Sequence, residues 1–118
     1  MLGLRGVTVR FPGATAPAVD DVSLHVAEGE VVAVLGPSGS GKSTVLRVAA
    51  GLQHPDTGSV HVDGQDVTAV APDRREVGLM FQTPTLFPHR DVAGNVGFAP
   101  RMQRRDRAAI AAKVDRLL

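Results

Sequence analysis

Three adjoining features predict an α/β fold built around a phosphate-binding loop. Val31-Val32-Ala33-Val34-Leu35 is a continuous apolar run with no polar face, the pattern of a parallel strand buried on both sides. It leads directly into the glycine-rich stretch Gly36-Pro37-Ser38-Gly39-Ser40-Gly41-Lys42-Ser43. Lys42 to Ala50 then reads as a helix, with Gly51 placed to end it.

The other elements follow in chain order. Leu4, Val7, Val9 and Phe11 lie in a strand-like opening that ends at the turn Phe11-Pro12-Gly13. Val22, Leu24 and Val26 alternate with Ser23 and His25, which predicts a half-buried strand. The tight connection Ala27-Glu28-Gly29-Glu30 follows, and the two segments suggest an antiparallel pair. After the loop His54-Pro55-Asp56-Thr57-Gly58, Val60 and Val62 flank His61 in a short strand closed by the hairpin dipeptide Asp63-Gly64. Val77-Gly78-Leu79-Met80-Phe81 is a second apolar strand candidate. Thr83-Pro84 and Phe87-Pro88 then forbid regular structure locally. From Asp91 the character is helical, with Ile110, Val114, Leu117 and Leu118 forming an apolar stripe beside Ala111. The resulting division is residues 1–90 as a partial core and residues 91–118 as the beginning of a helical part.

The 118 residues suit one domain, and the 43% hydrophobic, 21% charged balance is that of an ordinary globular chain. Aromatics are only 3%, so the core must be built from Val, Leu and Ala. The net charge of +1 is unevenly spread. Residues 1–70 carry four Lys/Arg against seven Asp/Glu, and residues 71–118 carry nine against five. The Arg101, Arg104, Arg105 and Arg107 cluster has no interleaved aromatics, so it reads as a helix surface rather than a nucleic-acid site. The absence of cysteine excludes a disulfide framework and a Cys-based metal or redox site. His25, His54, His61 and His89 share no metal-ligand spacing. No apolar run reaches membrane-spanning length, so membrane contact would come through a partner.

Gly36 to Ser43 fits G-x-x-x-x-G-K-[ST] in full, between the strand and the helix that this motif requires. Successive backbone N–H groups in such a loop point inward as an anion nest. The helix beginning near Lys42 adds its positive end. The Lys42 ammonium can reach outer phosphates, and the Ser43 hydroxyl can ligate Mg²⁺, which prefers oxygen.

The wider sequence resembles the ATP-binding subunit of ABC transporters. The resemblance rests on "AVDDVSLHVAEGEVVAVLGPSGSGKSTVLRVAAGL", "PDTGSVHVDGQDV" and "VGLMFQTPTLFPHRDVAGNVGF", and runs from about Leu4 to about Phe98. It implies a P-loop NTPase of the ABC ATPase type, with ATP and Mg²⁺ held by Gly36, Pro37, Ser38, Gly39, Ser40, Gly41, Lys42, Ser43 and Thr44. Phe11 matches the aromatic that stacks on adenine; the family more often has Tyr there, and Phe retains the ring face. A core Phe at a strand end is the other reading of Phe11. Gln82 matches the glutamine that completes the Mg²⁺ shell beside Ser43. Leu86, Phe87 and Val92 are candidates for the surface that meets a transmembrane permease subunit, or else pack under their own loop. The Phe-Gln-x-x-x-Leu-Phe-Pro-His stretch looks most like subunits serving importers of small solutes. The resemblance also implies a cytoplasmic protein, peripheral at the inner face of the membrane through its permease, and two cradles facing each other in a dimer.

The same family carries, after the glutamine loop, a signature of Leu-Ser-Gly-Gly-Gln type, an apolar strand ending in Asp-Glu, and a later histidine. Residues 83–118 hold no Ser-Gly-Gly, no four apolar residues followed by Asp or Glu, and no histidine after His89. The expectation is therefore an N-terminal portion that binds ATP without hydrolysing it and carries no catalytic residue. A non-catalytic nucleotide-binding fragment and an ABC ATPase with no transport role are the alternatives. Open apolar strand edges would make the isolated chain marginal in solution.

Overall fold

The computed structural model describes residues 1–83 and 85–118; Pro84, within the expected irregular stretch, lies outside the described residues. The chain divides into two compact units, Met1–Leu79 and Met80–Leu118.

The first unit is a four-stranded antiparallel sheet with one helix against it. Its strands are β1 (Leu2–Val9), β2 (Val19–Val26), β3 (Thr57–Val62) and β4 (Gln65–Asp66), in the order β2-β1-β3-β4. The expected antiparallel pair is formed, with Leu4 opposite Leu24 and Val9 opposite Val19. Leu4 and Val7 are three residues apart and would face opposite ways in a regular strand. A register shift between them turns both inward, as a β-bulge does. The Asp63-Gly64 dipeptide turns β3 into β4 with both residues at positive φ, 49° and 80°, the conformation of a type I′ hairpin.

The helix α1 (Lys42–Ala50) presents Val45, Val48 and Ala49 to Leu4, Val7, Val9, Val19, Val60 and Val67. These positions fall on one stripe of a 3.6-residue period. Burying each valine or leucine contributes about 1.5–3 kcal/mol before conformational entropy is counted. Gly51 ends α1 in the left-handed region at φ 80°. Its N–H donates to Val48 O at 3.1 Å and the Leu52 N–H to Arg47 O at 2.8 Å, the paired bonds of a Schellman motif.

The second unit is helical: α2 (Val92–Val96), α3 (Phe98–Met102) and α4 (Arg107–Leu117). The Asp91 carboxylate accepts from the Gly94 N–H at 2.6 Å, which caps α2. Ile110 and Val114 of α4 are buried and close on Gly97.

Two expectations fail. Neither Val31–Leu35 nor Val77–Phe81 joins a sheet, so the expected parallel strands are not formed among the described residues. Both are without regular structure, and Val31, Leu35 and Met80 are 94%, 89% and 94% exposed. A strand apolar on both faces needs a ladder partner and a cover on each face, and no described strand supplies them. The apolar stripe of α4 is also shorter than expected. Leu117 and Leu118 are exposed, lying past the turn that Ile110 and Val114 bury.

The exposed segments set an expected solution behaviour. Unpaired apolar edges promote association, so the weight-average mass of this chain from light scattering is expected to rise with protein concentration. A mass that stays that of a monomer at every concentration would contradict this.

Candidate phosphate-binding site

The candidate loop is built at the junction between the exposed segment and α1. Residues 31 to 40 are all exposed, and the chain turns at Ser38-Gly39, where the Ser40 N–H donates to Pro37 O at 3.3 Å. Gly41 then starts α1 at φ 87°, with no side chain capping the first turn and no acidic residue in it. Helix starts carry N–H groups without intrahelical partners and a positive dipole end. Here that end is presented beside Lys42 and the exposed Ser43, while Thr44 turns inward and is buried.

Lys42 folds back over the loop. Its Nζ donates to Gly36 O at 2.7 Å, Pro37 O at 2.6 Å and Ser40 Oγ at 3.2 Å. These three acceptors match the three donors of an ammonium group, so Lys42 gathers the loop around its own charge. A phosphate oxygen entering the loop would exchange with these acceptors on the same ammonium.

The β1–β2 connection runs beside this start of α1. A Cβ on Gly41 would run into Ala18 O and lie 3.3 Å from Ala18 C and 3.4 Å from Val19 Cγ2. Ala18 is itself tied back by its N–H donating to Val9 O at 2.8 Å. Phe11 lies on the same connection, 40% exposed, with its carbonyl accepting from the Ala14 N–H at 3.1 Å. It is therefore not packed in the core.

In the second unit, Gln82 is an exposed residue at a bend. Leu86 and Val92 are 72% and 64% exposed. Phe87 is the partly covered member of this set, with its ring centroid 4.5 Å from that of Phe98 and the Arg90 guanidinium 5.6 Å from its centre. Sequence reading gave no role to Asn95, which shapes this loop. Its Oδ1 accepts from the Phe87 N–H at 2.8 Å, and its Nδ2 donates to Arg90 O at 3.1 Å and Asp91 O at 2.9 Å. Asn95→Ala is expected to raise amide exchange at Phe87 by about tenfold through loss of its acceptor. Unchanged protection there would show that the loop holds itself.

Sequence reading also missed Arg75, only 2% exposed in the first unit. Burial pulls its pKa below the usual arginine value. Four carbonyl oxygens surround its guanidinium: Val48, Ala49, Thr68 and Val70. No group of three or more His, Cys, Asp or Glu side chains suited to a metal ion occurs among the described residues. No described helix is long and apolar enough to cross a membrane.

Comparison with known proteins finds relatives along the whole chain. The chain is 58% identical over its full length to the Fe(3+) ions import ATP-binding protein FbpC of Streptomyces coelicolor, spanning 33% of that protein. It is 47% identical over its full length to the spermidine/putrescine import ATP-binding protein PotA of Chromobacterium violaceum, spanning 32% of it. The chain thus covers about a third of the length of these curated relatives. Among solved structures, the dimeric structure of MJ0796, a bacterial ABC transporter cassette, matches with a TM-score of 0.85 at 29% identity. That match covers 98% of this chain and 53% of the other. The same cassette in a post-hydrolysis state bound to ADP and Pi matches with a TM-score of 0.84. The family pattern described as ABC transporter matches residues 19–117, and the chain belongs to that family.

Proposed function

We propose that the Gly36–Thr44 loop holds the phosphates of MgATP, and that the chain is the nucleotide-gripping portion of an importer's ATP-binding subunit. The observation that carries this reading is the start of α1. An uncapped, positively polarised helix end, free of acidic side chains, lies under an ammonium already shared among three loop oxygens. That donor set fits a polyphosphate.

The residues take distinct roles. Backbone N–H groups of Gly39 to Thr44 bind phosphate oxygens, Lys42 offsets their charge, and the exposed Ser43 hydroxyl offers an oxygen to Mg²⁺. Gln82 is the proposed second protein ligand of that ion. Phe11, partly exposed on the β1–β2 connection, supplies a ring face to the base. ATP hydrolysis, when the complete cassette carries it out, supplies the free energy for transport. This chain alone is expected to bind MgATP without turnover.

The importer reading is supported by the relatives, whose printed names are import ATP-binding proteins. In this reading residues 1–90 belong to the nucleotide-binding core and residues 91–118 begin the helical subdomain. Leu86, Phe87 and Val92 form the surface for a transmembrane permease, which keeps the protein cytoplasmic and peripheral at the inner face of the membrane. Pairing with a second cassette is supported by the dimeric MJ0796 structure. The permease contact is tested by crosslinking at position 85 in the full-length protein with its permease. Crosslinks lost in Leu86→Asp and Val92→Asp, with the melt unchanged, are the expected result. Equal crosslinking in both variants would place the permease elsewhere.

A further inference from the structure

We infer that Arg75 is a positioning residue for the phosphate-binding loop. By fixing the C-terminal end of α1, it sets the direction in which the other end presents Lys42, Ser43 and Thr44. The inference rests on the reading that this loop holds nucleotide.

Arg75 is the largest fully buried side chain of the core. Its Nη1 donates to Val48 O at 2.9 Å and Ala49 O at 3.3 Å, both in the last turn of α1. Its Nε donates to Val70 O and its Nη2 to Thr68 O, each at 2.8 Å. Every acceptor is a main-chain carbonyl, so the guanidinium fixes backbone to backbone. The last carbonyls of a helix lack intrahelical donors and carry the negative end of the dipole, which suits a buried cation with no carboxylate bonded to it.

The far side of this clamp is anchored to the sheet. The Val60 N–H of β3 donates to Thr68 Oγ1 at 2.8 Å, and the Val67 N–H donates to Val60 O at 2.8 Å. A continuous hydrogen-bonded path therefore runs from β3 through Thr68 and Arg75 to the end of α1. The apolar stripe of α1 fixes its distance from the sheet, but apolar contact is non-directional. The four bonds of Arg75 are directional. Because α1 is a rod about 13 Å long, freeing one end swings the other, where the loop begins. Gly51 completes the clamp. A Cβ there would lie 2.6 Å from Arg75 Nε and 2.8 Å from Cζ.

The test uses this 118-residue chain as Arg75→Met, as Gly51→Ala and as Val60→Ala, a core variant chosen to match the loss of stability. Two properties are read at equal distance from each unfolding midpoint: amide exchange of Gly39–Thr44 without nucleotide, and MgATP affinity. Arg75→Met is expected to speed exchange in the loop and weaken MgATP binding, each by about tenfold. Val60→Ala removes only side-chain packing and leaves the main-chain N–H and C=O of Val60 bonded to Thr68 and Val67, so it should change neither by more than about twofold at matched stability. Gly51→Ala should reproduce the Arg75→Met effect, and the double variant should fall short of the product of the two, because both disturb one clamp. Should Arg75→Met not fold, Arg75→Lys and Gly51→Ala carry the test with the same two readouts. Loop exchange and affinity that follow Val60→Ala in every clamp variant would overturn the inference. Faster loop exchange in a chain whose wild type binds no MgATP would uphold positioning and sink the nucleotide reading.

Discussion

Lys42→Ala is expected to weaken MgATP binding by about a hundredfold or more while leaving the fold in place. Two losses combine. The ammonium can no longer offset phosphate charge, and a charge-assisted hydrogen bond is worth roughly 1.5–3 kcal/mol. The loop also loses the group that gathers Gly36 O, Pro37 O and Ser40 Oγ, so the nest must be ordered when phosphate binds. Neither loss reaches the core, which is formed by residues of β1, β2, β3 and α1 together with Val67 and includes no residue of the loop. The urea midpoint should therefore move by less than about 1 kcal/mol in equivalent stability. Unchanged nucleotide affinity would remove the assignment of this loop.

A large loss of stability is expected at Gly41. Alanine there meets two separate obstacles: a left-handed φ of 87° and the Ala18 carbonyl oxygen in the path of its Cβ. The φ penalty alone is about 1 kcal/mol. The clash demands that α1 and the β1–β2 connection separate, and the connection is held by the Ala18–Val9 hydrogen bond. We expect a total of about 3 kcal/mol or more, a fall in Tm of roughly 15 °C for a unit of this size. Gly39→Ala is the internal control. Gly39 has a similar φ of 80° but nothing within 4 Å of its Cβ position, so it should lose only about 1 kcal/mol. Equal losses at the two positions would show that backbone conformation, not packing on Ala18, makes Gly41 necessary.

The contrast between these two glycines marks how far the sequence could be read. The G-x-x-x-x-G-K-S spacing identified the loop and its helix, because residue type and order carry that information locally. The β1–β2 pair and the Asp63-Gly64 hairpin were legible for the same reason, through alternation and turn chemistry. Which glycine is packed against Ala18 depends on a contact 23 positions away in the chain, and no local pattern encodes it. Arg75 was hidden more thoroughly. It lies between Arg74 and Glu76, both exposed, and only the fold shows which of the charged neighbours turns inward to the end of α1. Asn95 was hidden likewise, as one polar residue on a short helix. Val31–Leu35 erred in the other direction. Its composition marks a segment apolar on both faces, but composition does not supply the neighbouring strands, and the segment is exposed.

The site and the family are supported by independent observations: the loop geometry in one case, the match over residues 19–117 in the other. The proposed fit of Phe11, Gln82 and Ser43 to base and metal gives the order in which to test them. Ser43→Ala should weaken Mg²⁺-dependent binding while sparing metal-free nucleotide binding, since the exposed hydroxyl is proposed to serve the ion alone.

The central claim is that this chain grips nucleotide through the Gly36–Thr44 loop. Its most direct measurement is an equilibrium titration of the dilute wild-type chain with MgATP, followed by a hydrolysis assay on the same sample. Saturable one-site binding that ADP displaces, with no phosphate release above the blank, is the expected result. A folded chain that shows no saturation into the millimolar range would contradict the grip, and clear phosphate release would contradict its separation from hydrolysis.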